Sequence, residues 1–133
     1  MADLDNRNAD FECFTTLKRW LENRNHNKTF LDYFHQCGYQ TIAIYGAGDL
    51  GNLLYEEVKG SDVHVKYFVD RNAEGMKEID QIPVITIPEM KNVEDVDVLV
   101  ITPLGNYDAI NQILTEYMPE MRTISLREAV YEF

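Results

Sequence analysis

The run IAIYGAGDLGNLLYEEV, residues 42–58, limits the fold more than any other stretch of this chain. Four apolar or aromatic residues, Ile42 to Tyr45, lead directly into Gly46-Ala47-Gly48-Asp49-Leu50-Gly51, and Leu50, Leu53, Leu54 and Val58 then recur at helical spacing. A strand that feeds a glycine turn and then a helix belongs to an α/β architecture, because parallel strands need a crossover and the crossover is usually a helix. In such a turn each glycine has its own task. Gly46 makes the tight bend, Gly48 lets a diphosphate reach the backbone where a Cβ would collide, and Gly51 lets helix and strand pack closely. The plainer reading, a strand turning tightly into a helix with no ligand, stays open.

The rest of the chain repeats the alternation. Val63–Asp70 alternates apolar and polar residues as a strand does and ends on an acid, Asp70, which lies 19 residues past Gly51. The polar segment 71–81 leaves room for only a short second crossover helix. Ile82–Thr86 is a brief strand, Pro88 opens a helical turn, Val96–Thr102 is an apolar run suited to a strand buried on both faces, and Arg122–Leu126 is the last strand. Tyr107–Tyr117 is a helix with Ile110, Ile113 and Leu114 inward, and a short helical turn ends the chain. The expected fold is a three-layer α/β, Rossmann-like parallel sheet of about five strands in the order 3-2-1-4-5, preceded by two extra helices. Residues 1–40 are read as a helical extension packed on a nucleotide-binding domain of residues 41–133. In the first helix, Asp10 to Asn23, residues Phe14, Leu17, Trp20 and Leu21 fall on one face. With Phe11 they present more apolar surface than a peripheral helix needs, which points to a homodimer. The second helix opens on a capping box, Thr29-x-x-Asp32, and stops at Gly38.

Composition narrows the function classes. With 23 acidic against 12 basic residues the formal charge is −11, so the field of the chain repels nucleic acid and anionic lipid. The N-terminus lacks the basic start and apolar core of a secretory leader, and no apolar run is long enough for a membrane span. A cytoplasmic location and no membrane insertion are expected. Cys13 and Cys37 carry no metal or redox spacing and read as reduced, partly buried thiols.

The chemistry converges on one loop. The amides of Gly46, Ala47, Gly48, Asp49, Leu50 and Gly51, at a helix N-terminus, suit a pyrophosphate. Asp70 would accept ribose hydroxyls and so favour NAD over NADP, with Arg71 beside it against adenine or a 2′-phosphate. Thr102 and Pro103, after the fourth strand, face the same crevice. Asp49 brings a negative charge into the loop and is also a plausible helix cap. No catalytic set is found. Tyr55-x-x-x-Lys59 has a dehydrogenase-like spacing but lies on the helix behind the turn, and His26, His35 and His64 are scattered.

The blocks TIAIYGAGDLGNLLYEEV, VKYFVDRNAEG, IPVITIPEM and VDVLVITP, in this order, resemble the small Rossmann-like nucleotide-binding domains of bacterial surface-polysaccharide biosynthesis proteins. They are also similar to the CoA-binding-like domain of NAD-linked redox sensors and the nucleotide-sugar-binding part of sugar acetyltransferases. The resemblance implies Gly46, Gly48, Gly51 and Asp70 as cofactor contacts and supplies no catalytic base. It implies a free-standing module for NAD(H), with a nucleotide-sugar or CoA as other ligands, working beside a polysaccharide-biosynthesis enzyme without a complete active site of its own. Two alternatives stand: an NAD-dependent nucleotide-sugar dehydrogenase or epimerase whose site a partner subunit completes, and a degenerate interaction domain that binds no nucleotide.

Overall fold

The computed structural model describes Ala2–Phe133, with side chains from Ala9 onward, so the side chains of most of the segment read above for a leader lie outside the description. The chain runs α1 (Ala2–Asn25), α2 (Phe30–Cys37), β1 (Thr41–Tyr45), α3 (Asp49–Val58), β2 (His64–Val69), α4 (Ala73–Met76), β3 (Glu78–Ile79) and β4 (Ile82–Ile85). A 3-10 turn (Pro88–Asn92), β5 (Val98–Ile101), α5 (Tyr107–Tyr117), β6 (Thr123–Ser125) and α6 (Leu126–Val130) complete it. The result is a mixed α/β fold around one mostly parallel sheet.

The sheet has six strands in the order β3-β4-β2-β1-β5-β6, which differs in count and order from the five expected. The difference is β3, two residues that pair antiparallel with β4 through Glu78–Pro83 and Ile79–Ile82; every other pairing is parallel. Asp80 and Gln81 turn this hairpin with φ of 50° and 70°. Two-residue turns of that kind normally announce themselves with Asn-Gly or Asp-Gly, and Gln81 hides the signal. The turn is held from outside: the Tyr55 hydroxyl donates to Asp80 Oδ2 at 3.0 Å and Lys59 Nζ lies 3.2 Å from the same oxygen.

Successive strand residues point to opposite faces, so one sheet serves two cores. Ile42, Ile44, Phe68, Val84, Val98 and Val100 pack with residues of α1, α2, α3 and α6. Ala43, Tyr45, Tyr67, Val69, Ile85, Leu99 and Ile101 pack with Met90 of the 3-10 turn and Ile110 and Leu114 of α5. Ile113, expected inward, is exposed.

The first helix corrects the sequence reading. It starts well before Asp10, and its apolar residues do not share a face: Trp20 turns inward beside Thr16 and Asn23, whereas Phe11, Phe14, Leu17 and Leu21 are exposed. Trp20 turns inward because it meets an aromatic cluster, edge-on to Phe30 at 5.1 Å, which in turn meets Phe133 at 4.9 Å. Asn23 Nδ2 donates to the Val130 carbonyl at 2.8 Å, and Arg127 Nη1 donates to the hydroxyls of Thr15 and Thr16, so α1 is fixed to α6. The capping box is present, with the Thr29 amide donating to Asp32 Oδ2 at 2.9 Å, and Gly38 adopts the left-handed conformation at φ 77°. Of the two free cysteines, Cys13 is half-buried; Cys37 is exposed rather than partly buried.

One carboxylate links three helices. The Glu57 side chain, 4% exposed, accepts from Trp20 Nε1 at 3.2 Å and from the Phe30 amide at 2.8 Å, with Arg24 Nε at 3.4 Å. Removing it leaves two N–H donors without a partner. Glu57→Ala is expected to cost on the order of 2–4 kcal/mol in urea denaturation, whereas Glu56→Ala, on the exposed side, should stay within about 0.5 kcal/mol of the parent.

Candidate functional site

Strand order reverses at β1: the chain proceeds to β2 and β4 on one side and returns to β5 and β6 on the other. The crevice at the carboxyl ends of strands at such a reversal is where open α/β sheets hold ligands. The glycine turn, Asp70 with Arg71, and Thr102 with Pro103 all leave strands at this edge, so the residues singled out in the sequence are brought together.

The three glycines differ in what the fold asks of them. Gly46 has φ of 100°, and a Cβ there would stand 2.6 Å from Thr102 Oγ1 and 3.1 Å from Pro103 Cδ. A Cβ on Gly51 would overlap the Gly46 carbonyl oxygen. Gly48 has φ −89° and ψ −156°, a conformation open to any residue, and a Cβ there would meet nothing within 4 Å. The chain itself therefore explains Gly46 and Gly51 and does not explain Gly48.

Three side chains hold the loop. Asp70 Oδ2 accepts from the Ala47 amide at 2.8 Å while Oδ1 accepts from the Asn72 amide at 2.9 Å. Asn52 Nδ2 donates to the carbonyls of Ala47 and Gly48 at 3.1 and 2.8 Å. The Thr102 hydroxyl, buried, donates to the Tyr45 carbonyl at 2.7 Å. Thr102 thus braces the end of β1, and Asp70 ties β2 to the loop while keeping lone pairs available, since a carboxylate offers about four acceptor sites. Asp49 opens α3 without capping it, so the first-turn amides have no side-chain partner there. Asn52 escaped the sequence reading; its only signal is an amide four residues after Gly48, able to fold back on the turn.

No family model matches this chain, and no curated protein matches it.

Two cavities lie beside residues that adjoin the loop, with none of residues 46–51 in the lining of either. The first, about 450 Å³, is lined by Tyr45, Asp70, Arg71, Thr86, Ile87 and Pro88. It is walled mainly by apolar groups, with the exposed Arg71 at its rim. Burial pushes the Tyr45 phenol above its ordinary pKa, with the Asp70 charge adding to the rise and Arg71 offsetting part of it, so this hydroxyl is neutral at physiological pH. The second cavity, about 780 Å³, begins at Pro103 and includes Asn106, Tyr107, Glu128 and Tyr131, with Glu12 of α1 on its wall.

Elsewhere the reactive side chains are engaged in structure. Burial, then the hydrogen bond to Asp80, pushes the Tyr55 phenol up, the opposite of what a catalytic tyrosine needs. His35 Nε2 lies 2.8 Å from Asp62 Oδ1, and His26 Nδ1 lies 2.8 Å from the Glu22 carbonyl. Among the described residues no group of three or more His, Cys, Asp or Glu side chains is placed to hold a metal ion. No helix among them is long and apolar enough to cross a membrane.

The glycines separate cleanly in stability. Gly51→Ala forces α3 away from β1 and should lower the urea midpoint by the equivalent of about 3 kcal/mol or more, the upper range for overpacking. Gly48→Ala should leave stability unchanged or raise it by about 0.4–1 kcal/mol, through lost freedom in the unfolded chain.

Proposed function

We propose that this chain is a Rossmann-like nucleotide-binding module whose ligand is NAD(H). The observation that carries the reading is Gly48: in a loop where each other glycine is required by packing, this one leaves an open approach to the backbone that the fold does not use. A pyrophosphate would use it, accepting from the free amides at the start of α3, whose dipole favours negative charge. The adenosine would lie toward Asp70, with ribose hydroxyls donating to the carboxylate and adenine in the cavity of Tyr45, Ile87 and Pro88 under Arg71. The Asp70 charge opposes a 2′-phosphate, which supports NAD over NADP. NAD carries the hydride chemistry when bound; the residues described here bind and orient it.

The second cavity favours a second reading of the ligand. Tyr107 offers an aromatic ring, while Tyr131 is faced by the Arg19 and Arg127 guanidiniums at 5.1 and 5.3 Å; Asn106, Asp108 and Glu128 offer acceptors and Arg127 donors, a mixture suited to sugar hydroxyls. A nucleotide-sugar would place its diphosphate on the same loop and its sugar there. That reading agrees with the resemblance to surface-polysaccharide biosynthesis domains and with a role beside an enzyme of that chemistry.

Calorimetric titration of NAD, NADP and a UDP-sugar into the parent, Gly48→Val and Asp70→Asn separates these. Gly48→Val, folded by circular dichroism, should lose every diphosphate ligand. Asp70→Asn should weaken NAD by on the order of 1.5–3 kcal/mol, the range for hydrogen bonds to a charged group, and narrow the preference over NADP. A parent that binds none of the three sinks the proposal, as does a Gly48→Val variant that binds as the parent does.

A further inference from the structure

The exposed face of α1 is an unusual surface. Phe11 and Phe14 are each 64% exposed and Leu21 61%, and Leu17 and Leu53 of α3 are exposed beside them. Asp10, Phe14, Leu17, Leu21 and Arg24 recur at steps of four, three, four and three, which is the heptad spacing of a helix–helix seam. All five are exposed, whereas Thr16, Trp20 and Asn23, on the other side of the helix, are buried. A shallow groove of about 500 Å³ runs between α1 and α3, walled by Leu17, Trp20, Leu21 and Leu53 on its apolar side and by Arg24, Thr29, Glu56 and Glu57 on its polar side.

The charges on the seam select the occupant and its direction. Asp10 and Arg24 stand seven residues before and seven after Leu17; Arg24 Nε lies 3.4 Å from Glu57 of its own chain, but the side chain is 60% exposed and its terminal nitrogens are left to meet a second carboxylate. A second α1 running antiparallel about a two-fold axis at Leu17 brings each Asp10 to the other copy's Arg24, at both ends of the seam. It also seats Phe14 of one copy between Leu17 and Leu21 of the other, over the groove. A parallel, in-register pairing would set Asp10 against Asp10 and Arg24 against Arg24. The sequence is thus complementary to itself in one direction only, as an isologous interface requires.

We infer that this chain forms a two-fold dimer through antiparallel pairing of its α1 helices, with Leu17 at the axis. Phe11, Phe14, Leu17, Leu21 and Leu53 together expose on the order of 500 Å² of apolar surface per copy; burying all of it would give a two-fold contact of about 1,000 Å², the lower limit of specific interfaces, and the seam without Phe11 a smaller one, the size of a weak, reversible contact. The inference is independent of the nucleotide reading, because the seam lies on the face of α1 turned away from the sheet.

Sedimentation equilibrium of the full chain, from micromolar to tens of micromolar, tests it. The expected result is reversible association to twice the 15.5 kDa chain mass. Leu17→Glu puts two carboxylates at the axis and should give a monomer with unchanged circular dichroism; Phe14→Asn, at an equally exposed position, repeats the test should the first variant fail to fold. Asp10→Arg faces Arg24 with a like charge at both ends and should weaken the dimer by on the order of tenfold. A parent that is monomeric throughout overturns the inference. So does a dimer indifferent to both apolar variants, which must use another face, and a dimer that responds to them but not to Asp10→Arg contradicts the antiparallel register.

Discussion

At none of the other glycines would a Cβ meet a neighbour as closely as at Gly51, where α3 lies against the end of β1 and the carbonyl oxygen of Gly46. Any side chain at position 51 would push the helix off the strand, so this contact sets the distance at which α3 can pack on the sheet. Leu54, Tyr55 and Val58 reach the core on one side of the sheet because α3 sits that close. Glu57, on the same helix, then joins α1 and α2 through Trp20 and Phe30. The glycine turn thus contributes to the position of the N-terminal helices through this chain of contacts, alongside the bonds that tie α1 to α6.

The same contact shapes the loop that the nucleotide proposal concerns. With α3 against β1 the turn has little freedom, and Asp70, Asn52 and Thr102 bind it from three directions. A binding loop already held in one conformation loses little entropy on meeting its ligand. Asp70 has a double part in this account. It accepts from Ala47 in the free chain and has further lone pairs for ribose hydroxyls, so its replacement should disturb both the loop and the ligand. Gly48 lacks such a double part, which is why it discriminates best between a binding loop and a plain turn.

How much could be read from the sequence depended on whether local pattern or distant packing decided the outcome. The limits of α5 at Tyr107 and Tyr117, the capping box at Thr29 and the strand cores at residues 42–45 and 98–101 are local, set by periodicity and turn chemistry, and were legible. The inward turn of Trp20 was not, because it depends on Phe30 and Glu57, which come from elsewhere in the chain. The hairpin at Glu78–Ile79 was hidden by a turn containing Gln81 in place of glycine and by its anchor, Asp80 on Tyr55 and Lys59. In the candidate site the glycines and Asp70 were legible as a group. Their division into two structural glycines and one open one needed the positions of Thr102 and the Gly46 carbonyl.

The most direct measurement of the central claim is a heteronuclear NMR titration of the full chain with NAD, following every backbone amide. Nucleotide binding at the glycine loop predicts that the amides of residues 46–51 move first and furthest, with a second group at 70–72 and 86–88 where the adenosine would lie. Saturating NAD that leaves those amides unmoved, or shifts confined to a surface remote from the loop, would contradict it.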